Sequence, residues 1–441
     1  MKKLEIFNAA FLALPLSFIS IPIYLNIADF YSQKFGLSLV IIGTLLAFVR
    51  IFDALQDPFI GYYSDFLSSK KIAREKIIRL FSLLLCLSFF LVFNPPFFTN
   101  KFSIITWFVV SLCCTYLCFN FVVINFESLI AIIAKNDEER ISLNSLKEFL
   151  GLIGMIFAFV APAILANYST NNKYFFLTII FTIFTLATIY FLLPKVKIPN
   201  QLPNSTSNPQ LTKLKQKFEL KTFPKSFLIG ISQIRFCKNI LNDKKFTNFL
   251  LIFFLNSTAV SLPAANMNFY VRDVLQSESK TAWFLSTYFI SACIFIPLWR
   301  FLFTKLGILK SWTLSICGAI ITFAFAYFLN SENASYFYII CLLSGMFLGA
   351  DLIAPPIILA KITKEKNSVI SSYFSLWNFL SKIGLMIAAS GSLIILGFFN
   401  YKPGNSTIEN LDLIVFFYAV LPCLIKIIVV TLLFKFRKYE N

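Results

Sequence analysis

Apolar residues gather along this chain in windows of about twenty or more, each closed by a short polar stretch. Twelve windows are present, near 9–30, 39–66, 77–98, 102–134, 143–168, 174–194, 246–271, 282–303, 311–329, 336–362, 369–399 and 411–434. A helix of about twenty residues crosses the hydrocarbon of a bilayer. The pattern therefore predicts an all-α integral membrane protein of twelve transmembrane helices, numbered helix 1 to helix 12 in chain order. The first window has no short apolar region followed by a small-residue cleavage site, so helix 1 is expected to be retained.

The widest polar interval, Lys195 to Lys245, is rich in Lys, Asn, Pro and Ser. It divides the chain into an expected N-terminal six-helix bundle (1–194), a linker (195–245) and a C-terminal six-helix bundle (246–441). Pro199–Pro209 reads as disordered and Phe218–Ile240 as an amphipathic helix on the membrane surface. The two halves also repeat. Ser145-Leu-Lys-Glu-Phe-Leu-Gly-Leu-Ile-Gly154 aligns with Ser375-Leu-Trp-Asn-Phe-Leu-Ser-Lys-Ile-Gly384 at six identities in ten. Asn125…Ala134-Lys135 aligns with Asp351…Ala360-Lys361 at nearly the same offset, so helices 4 and 5 correspond to helices 10 and 11. Parallel repeats of this kind are a transporter device, although matches between apolar segments also arise by chance.

The second window departs from the rule that such windows are apolar. Arg50, Asp53, Asp57, Gly61 and Asp65 recur at steps of three and four residues and so form one stripe on helix 2. A charge at the centre of a bilayer costs about 3 kcal/mol or more. Two carboxylates one turn apart also repel, so one takes a proton, a cation lies between them, or Arg50 neutralises part of the charge. The stripe reads as a place where a cation or proton binds and leaves. An Arg–Asp clamp that only joins two helices is the competing reading.

Composition narrows the choice of function. Of 441 residues, 58% are hydrophobic and only 14% charged, against about 25% in soluble chains. There is no histidine, which removes histidine triads, proton relays and metal sites. Eight of the nine cysteines lie in apolar segments and none forms a CxxC, so they read as small core residues. The net charge of +18 is concentrated on one side: Lys2, Lys3, Lys70 to Arg79, Lys135, Arg140, the linker, Lys305, Lys310, Lys361 to Lys366 and Lys435 to Lys438. That asymmetry predicts that both termini face the cytoplasm and that the charge meets anionic lipid, with no nucleic acid as partner.

Few other polar side chains fall at membrane depth. They are Asn125 and Glu127 in helix 4, Lys147 and Glu148 at the start of helix 5, Asp351 in helix 10, Lys382 in helix 11 and Lys426 in helix 12. Asp351 or Glu127 paired with Lys382 across a central cavity would form a charge relay, or else a static bridge between helices. Lys147 and Glu148 are near enough to the interface to snorkel, and Lys426, without a repeat counterpart, reads the same way. Pro15 and Pro22 in helix 1, Pro263 in helix 7 and Pro355-Pro356 in helix 10 free backbone carbonyls for a ligand, or serve packing alone. Trp377 is a weak candidate for stacking on a sugar.

The stripe Arg50-x2-Asp53-x3-Asp57-Pro58-x2-Gly61-x3-Asp65 resembles the helix 2 signature of the glycoside–pentoside–hexuronide:cation symporters, a branch of the major facilitator superfamily typified by melibiose permease. Gly36-Leu37-Ser38, Gly43-Thr44, Glu139-Arg140, and Lys382 with Gly384 are similar to the same family. The resemblance implies a major facilitator fold, the coupling cation (Na⁺ or H⁺) at Asp53 and Asp57, and assistance from Lys382. It also implies that Gly61, Asp65 and Arg74 act as the cytoplasmic gate between helices 2 and 3, with Asp65 touching a neighbouring helix end when the outer side is open. The carboxylate the family places on helix 1 to hold sugar would fall near Ser17. The acidic residue and Trp of its helix 4 are replaced by apolar residues and Glu127, and the loop after helix 2 lacks Gly-Arg-x-Arg-Pro.

The expected function is cation-coupled symport of a small organic solute, such as a sugar or glycoside, by alternating access. Arg50, Asn125, Glu127, Lys147, Asp351 and Lys382 are candidates for substrate binding or coupling. A lysophospholipid or other amphiphile transporter on the same fold, and a membrane scaffold or sensor that transports nothing, are the alternatives. An enzyme is not expected, nor a cofactor beyond the coupling ion. The protein is expected to be a monomer in a bacterial inner membrane.

Overall fold

The computed structural model describes residues 3–70, 72–96, 100–164, 170–195, 238, 240–364, 366, 369–399, 401 and 408–437. Most of the linker, including the expected disordered stretch and nearly all of the expected surface helix, lies outside the described residues. Among the described residues the chain is helical, with no strand. The expected windows become twelve rods in two six-helix bundles.

Among the described residues, ten rods are long and apolar enough to cross a membrane. The other two are helices 1 and 2. Helix 1 comes in pieces, Lys3–Ala10, Ala13–Ile21, a π-helical turn Pro22–Asn26, and Ile27–Phe35. The second of its interruptions falls where Pro22 withholds a backbone donor. Helix 2, Leu39–Ser69, is continuous through Pro58 and reaches about 46 Å at 1.5 Å per residue. Gly36 at φ 63° ends helix 1 and the Ser38 hydroxyl accepts from the Ile41 N–H to start helix 2. Helix 7 (Lys244–Phe269) and helix 10 (Phe337–Ile362) run through Pro263 and Pro355-Pro356 without breaking. Of the two readings of these prolines, a broken helix occurs in helix 1, while Pro263 and Pro355-Pro356 fit the packing alternative.

Helices 3 to 6 are Arg74–Phe93, Lys101–Ile133, Asp137–Ile164 and Thr170–Ala187, the last continued by a π turn Thr188–Leu192. Helices 8, 9 and 11 are Thr281–Leu306, Ile308–Ala326 and Ile370–Phe398, and helix 12 combines Ile408–Val415, Phe416–Val420 and Leu421–Phe436. Glycines set the closest helix approaches. A Cβ at Gly154 on helix 5 would overlap the carbonyl of Leu14 on helix 1, and one at Gly384 on helix 11 would come within 2.9 Å of Ser257 and Thr258 on helix 7. These two glycines align in the sequence repeat, and each brings its helix against the first helix of its own half.

Three large apolar cores follow from this packing. One lies within the N-terminal half around Phe30, Tyr31, Phe108 and Phe181, and one within the outer part of the C-terminal half around Tyr270, Phe337 and Tyr418. The third joins Trp299, Trp312 and Phe374 to Ala131, Ile141 and Leu152, so it crosses the seam between halves. That crossing is at the end of the molecule rich in Lys and Arg, through contacts of helices 2, 4 and 5 with helices 8, 10 and 11.

Candidate functional site

The helix 2 stripe turns inward. Asp53, Asp57, Gly61 and Asp65 are buried, while Ile51, Leu55 and Phe59 on the other faces are exposed and suited to lipid. The burial is what makes the charges informative, because each needs a partner away from water.

Lys382 of helix 11 supplies one from the other half. Its ammonium nitrogen lies 2.9 Å from Asp53 Oδ1, 2.9 Å from Asp57 Oδ2 and 3.0 Å from Asp57 Oδ1. It also donates to the Asp53 carbonyl at 3.1 Å and to Asn120 Oδ1 at 3.2 Å. Asn120 on helix 4 returns its amide N–H to Asp53 Oδ1 at 2.8 Å. Two carboxylates thus share one ammonium. Asp57 is fully buried, and its Oδ2 has the ammonium nearby but no well-directed hydrogen bond. One turn face away, both amide atoms of buried Gln56 lack a partner among the described residues. Arg50 extends over the Tyr116 ring at 5.3 Å.

Arg50, Asp53, Tyr116, Asn120 and Lys382, but not Asp57 or Gln56, border a cavity of about 750 Å³ between the halves, large enough for a small organic solute. Arg50, Asp53 and Asn120 line it from the N-terminal half and Asp351, Lys382 and Lys426 from the C-terminal half, with apolar and aromatic wall between.

Toward the Lys- and Arg-rich end the cavity meets a polar seal. Asp65 reaches the buried N–H groups in the first turn of helix 11, accepting from Ser371 N at 3.0 Å, Ser372 N at 2.8 Å and the Ser372 hydroxyl at 2.7 Å. A carboxylate at a helix N-terminus satisfies orphan donors and the positive end of the helix dipole. Arg74 pairs with Asp65 at 3.0 Å and donates to the Ser371 hydroxyl and, at 3.4 Å, to Asn125. Asn125 in turn donates to Ser64 at 2.8 Å. Gly61 lies so close to Ser375 and the Ser371 carbonyl that a Cβ there would overlap both. Asp137 and Lys361 add an ion pair across the same seam at 2.8 Å.

Several sequence expectations change here. Lys382 pairs with neither Glu127 nor Asp351; the stripe of helix 2 claims it. Glu127 pairs instead with Lys147 at 2.7 Å, and Lys147 also meets Glu148 at 2.9 Å. Lys147 is buried, so it does not snorkel, and the N-terminal packing of helices 4 and 5 holds it. Neither Glu127, Lys147 nor Asn125 lines the cavity, and Asn125 belongs to the seal. Lys426 is buried too and pairs with Asp351 at 2.9 Å. Sequence reasoning missed Lys426, and it missed Asn120, whose signal was an amide between two phenylalanines in a long apolar helix. Trp377 packs against Phe253 and Phe374 rather than facing the cavity. Among the described residues no cluster of three or more Asp, Glu or Cys could hold a metal ion.

The family model described as MFS/sugar transport protein matches residues 7–438. The chain belongs to that family. Within the MFS/sugar transport family, it is 32% identical over 147 residues to uncharacterized symporter YnaJ of Bacillus subtilis (strain 168), covering 32% of this chain and 31% of that protein. It is 24% identical over 188 residues to an isoprimeverose transporter of Lactiplantibacillus pentosus, covering 41% of this chain and 39% of that protein. The matched stretches therefore span well under two thirds of these relatives. A crystal structure of a bacterial homologue of the iron transporter ferroportin, in an outward-facing state, matches with a TM-score of 0.70 at 14% identity, over 99% of this chain and 100% of that one. At that identity the likeness concerns the fold.

Proposed function

We propose that this member of the MFS/sugar transport family is a cation-coupled symporter of a small oxygen-rich solute, a sugar or glycoside, working by alternating access. The observation that carries the reading is the triad of Asp53, Asp57 and Lys382, two carboxylates on one half and one ammonium on the other. One ammonium between two carboxylates leaves the second carboxylate to be balanced by one monovalent cation, Na⁺ or H⁺. A cation at the carboxylates competes with Lys382, loosens the strap across the seam and lets the halves re-angle. Asp65, Arg74 and Gly61 then hold the cytoplasmic side shut while solute and cation enter from outside. The Lys and Arg excess at one end supports reading that end as cytoplasmic, with both termini on that side, and an inner membrane is part of the same proposal. The names of the two relatives, a symporter and an isoprimeverose transporter, support solute and coupling alike.

The test is uptake into proteoliposomes of purified protein. Isoprimeverose, with xylose and methyl glucoside beside it, is expected to accumulate under an inward Na⁺ or proton gradient. Equilibration without accumulation under either gradient would contradict coupling.

The apolar wall of the cavity, with Phe119, Phe159, Phe289 and Phe323, favours a second reading, transport of an amphiphile. Labelled lysophospholipid crossing these vesicles, with no sugar uptake, would select it.

A further inference from the structure

Four helices of the C-terminal half converge on a buried ion pair for which the coupling triad has no use. Asp351 of helix 10 accepts from Lys426 of helix 12 at 2.9 Å, from Trp312 Nε1 of helix 9 at 2.7 Å and from Asn256 Nδ2 of helix 7 at 3.3 Å. Asn256 Oδ1 accepts in turn from Lys426 at 3.2 Å. The two charged side chains are only 7% and 8% exposed, yet both border the cavity.

A donor count separates this lysine from Lys382. An ammonium has three N–H bonds. Lys382 faces five oxygen atoms within 3.2 Å and has no donor to spare. Lys426 has two acceptors among the described residues, Asp351 and Asn256, and so keeps one N–H for the cavity. Asp351 takes three donors, so its acceptor capacity is turned to Lys426, Trp312 and Asn256 and away from the cavity. A buried charged donor left without an acceptor is costly, and in a water-filled cavity a water molecule takes that place.

We propose that Lys426 is a solute-binding residue of the C-terminal half. Its remaining N–H donates to a hydroxyl or ether oxygen of the transported solute. Asp351, Asn256 and Trp312 are positioning residues that fix the ammonium. The pair is neutral as a unit and Asp351 repels a second anion, so the subsite suits an uncharged oxygen better than a carboxylate. The inference rests on the reading of the cavity as the path of an oxygen-rich solute. The competing role is a staple that only ties helices 7, 9, 10 and 12 together.

The experiment is thermal-shift titration of the purified full-length protein with isoprimeverose and methyl glucoside, and separately with Na⁺ and with acid. Lys426→Gln is expected to weaken sugar binding by about tenfold or more, the scale of a hydrogen bond to a charged group. Its response to Na⁺ and acid should match the wild type. Because Lys426→Gln leaves Asp351 unpaired and could fail to fold, Asp351→Asn/Lys426→Gln is tested beside it. Loss of sugar affinity in either folded variant supports the assignment. Wild-type sugar affinity in every variant that folds overturns it and leaves the staple. No sugar response in the wild type, with the cation response intact, overturns the sugar reading of the cavity and this subsite with it. That pattern differs from a loss confined to the variants.

Discussion

Lys382 Nζ lies 2.9 Å from Asp57 Oδ2, across the seam between the two halves of the molecule. The contact joins a charge on helix 11 to a charge on helix 2, residues more than three hundred apart in sequence. Any motion that separates the halves at this depth must break it or replace the ammonium.

Replacement of the ammonium gives the first prediction. Lys382→Ala leaves Asp53 and Asp57 facing each other without their shared partner. Breaking a buried pair on one side costs about 3–5 kcal/mol, less here because the Lys382 side chain is 26% exposed. The variant should be less heat-stable than wild type, and added Na⁺ or acid should raise its melting temperature more than that of wild type. Equal shifts in the two proteins would show that no cation takes the vacated place.

Gly61 gives a second. Its missing Cβ is what allows Ser375 and the Ser371 carbonyl to approach helix 2. Gly61→Val should disfavour closure at the basic end, since overpacking of this kind costs about 1–3 kcal/mol. Spin-label distances between the basic ends of helices 2 and 11 should lengthen, and uptake should fall at least severalfold. Unchanged distances would mean that the close approach does not hold the seal.

A third prediction concerns Asp65. Asn at this position keeps the shape but loses the charge that meets two backbone N–H groups and Arg74. Asp65→Asn should cut the uptake rate by about tenfold while solute binding to the purified protein stays within about twofold, from the usual worth of charge-assisted bonds. If binding and uptake fall together, the residue acts on the site and not on the seal.

The helix approaches supply a fourth. Gly154→Val should destabilise the fold by about 1–3 kcal/mol through overlap with Leu14. Gly391→Ala and Gly397→Ala, with open space around them, should be neutral or slightly stabilising, as Ala is in a helix. Denaturation midpoints of the three variants check the contrast.

The sequence made the helices legible because lipid imposes a length and an apolar composition, and both are local properties. It also made the inward face of helix 2 legible, since steps of three and four residues fix which side chains share a face. What it could not supply was the pairing of charges between helices. Lys382 goes to Asp53 and Asp57, Lys147 to Glu127, and Lys426 to Asp351 because of how separate helices rotate about their axes. Spacing within one helix carries no record of that rotation. For the same reason Lys426, one residue among apolar neighbours, reads as a snorkelling lysine when it is a buried one. The prolines of helices 7 and 10 stay within unbroken helices, and in helix 1 the chain does leave α geometry at Pro22.

The account turns on Asp57 as the residue that ties cation binding to solute movement, and one measurement addresses it directly. Purified Asp57→Asn and wild-type protein are reconstituted, and labelled isoprimeverose is followed with and without an imposed inward Na⁺ or proton gradient. The account predicts that the variant folds, binds the sugar and equilibrates it, with no accumulation under either gradient. Accumulation by Asp57→Asn that follows the gradient as wild type does would contradict it.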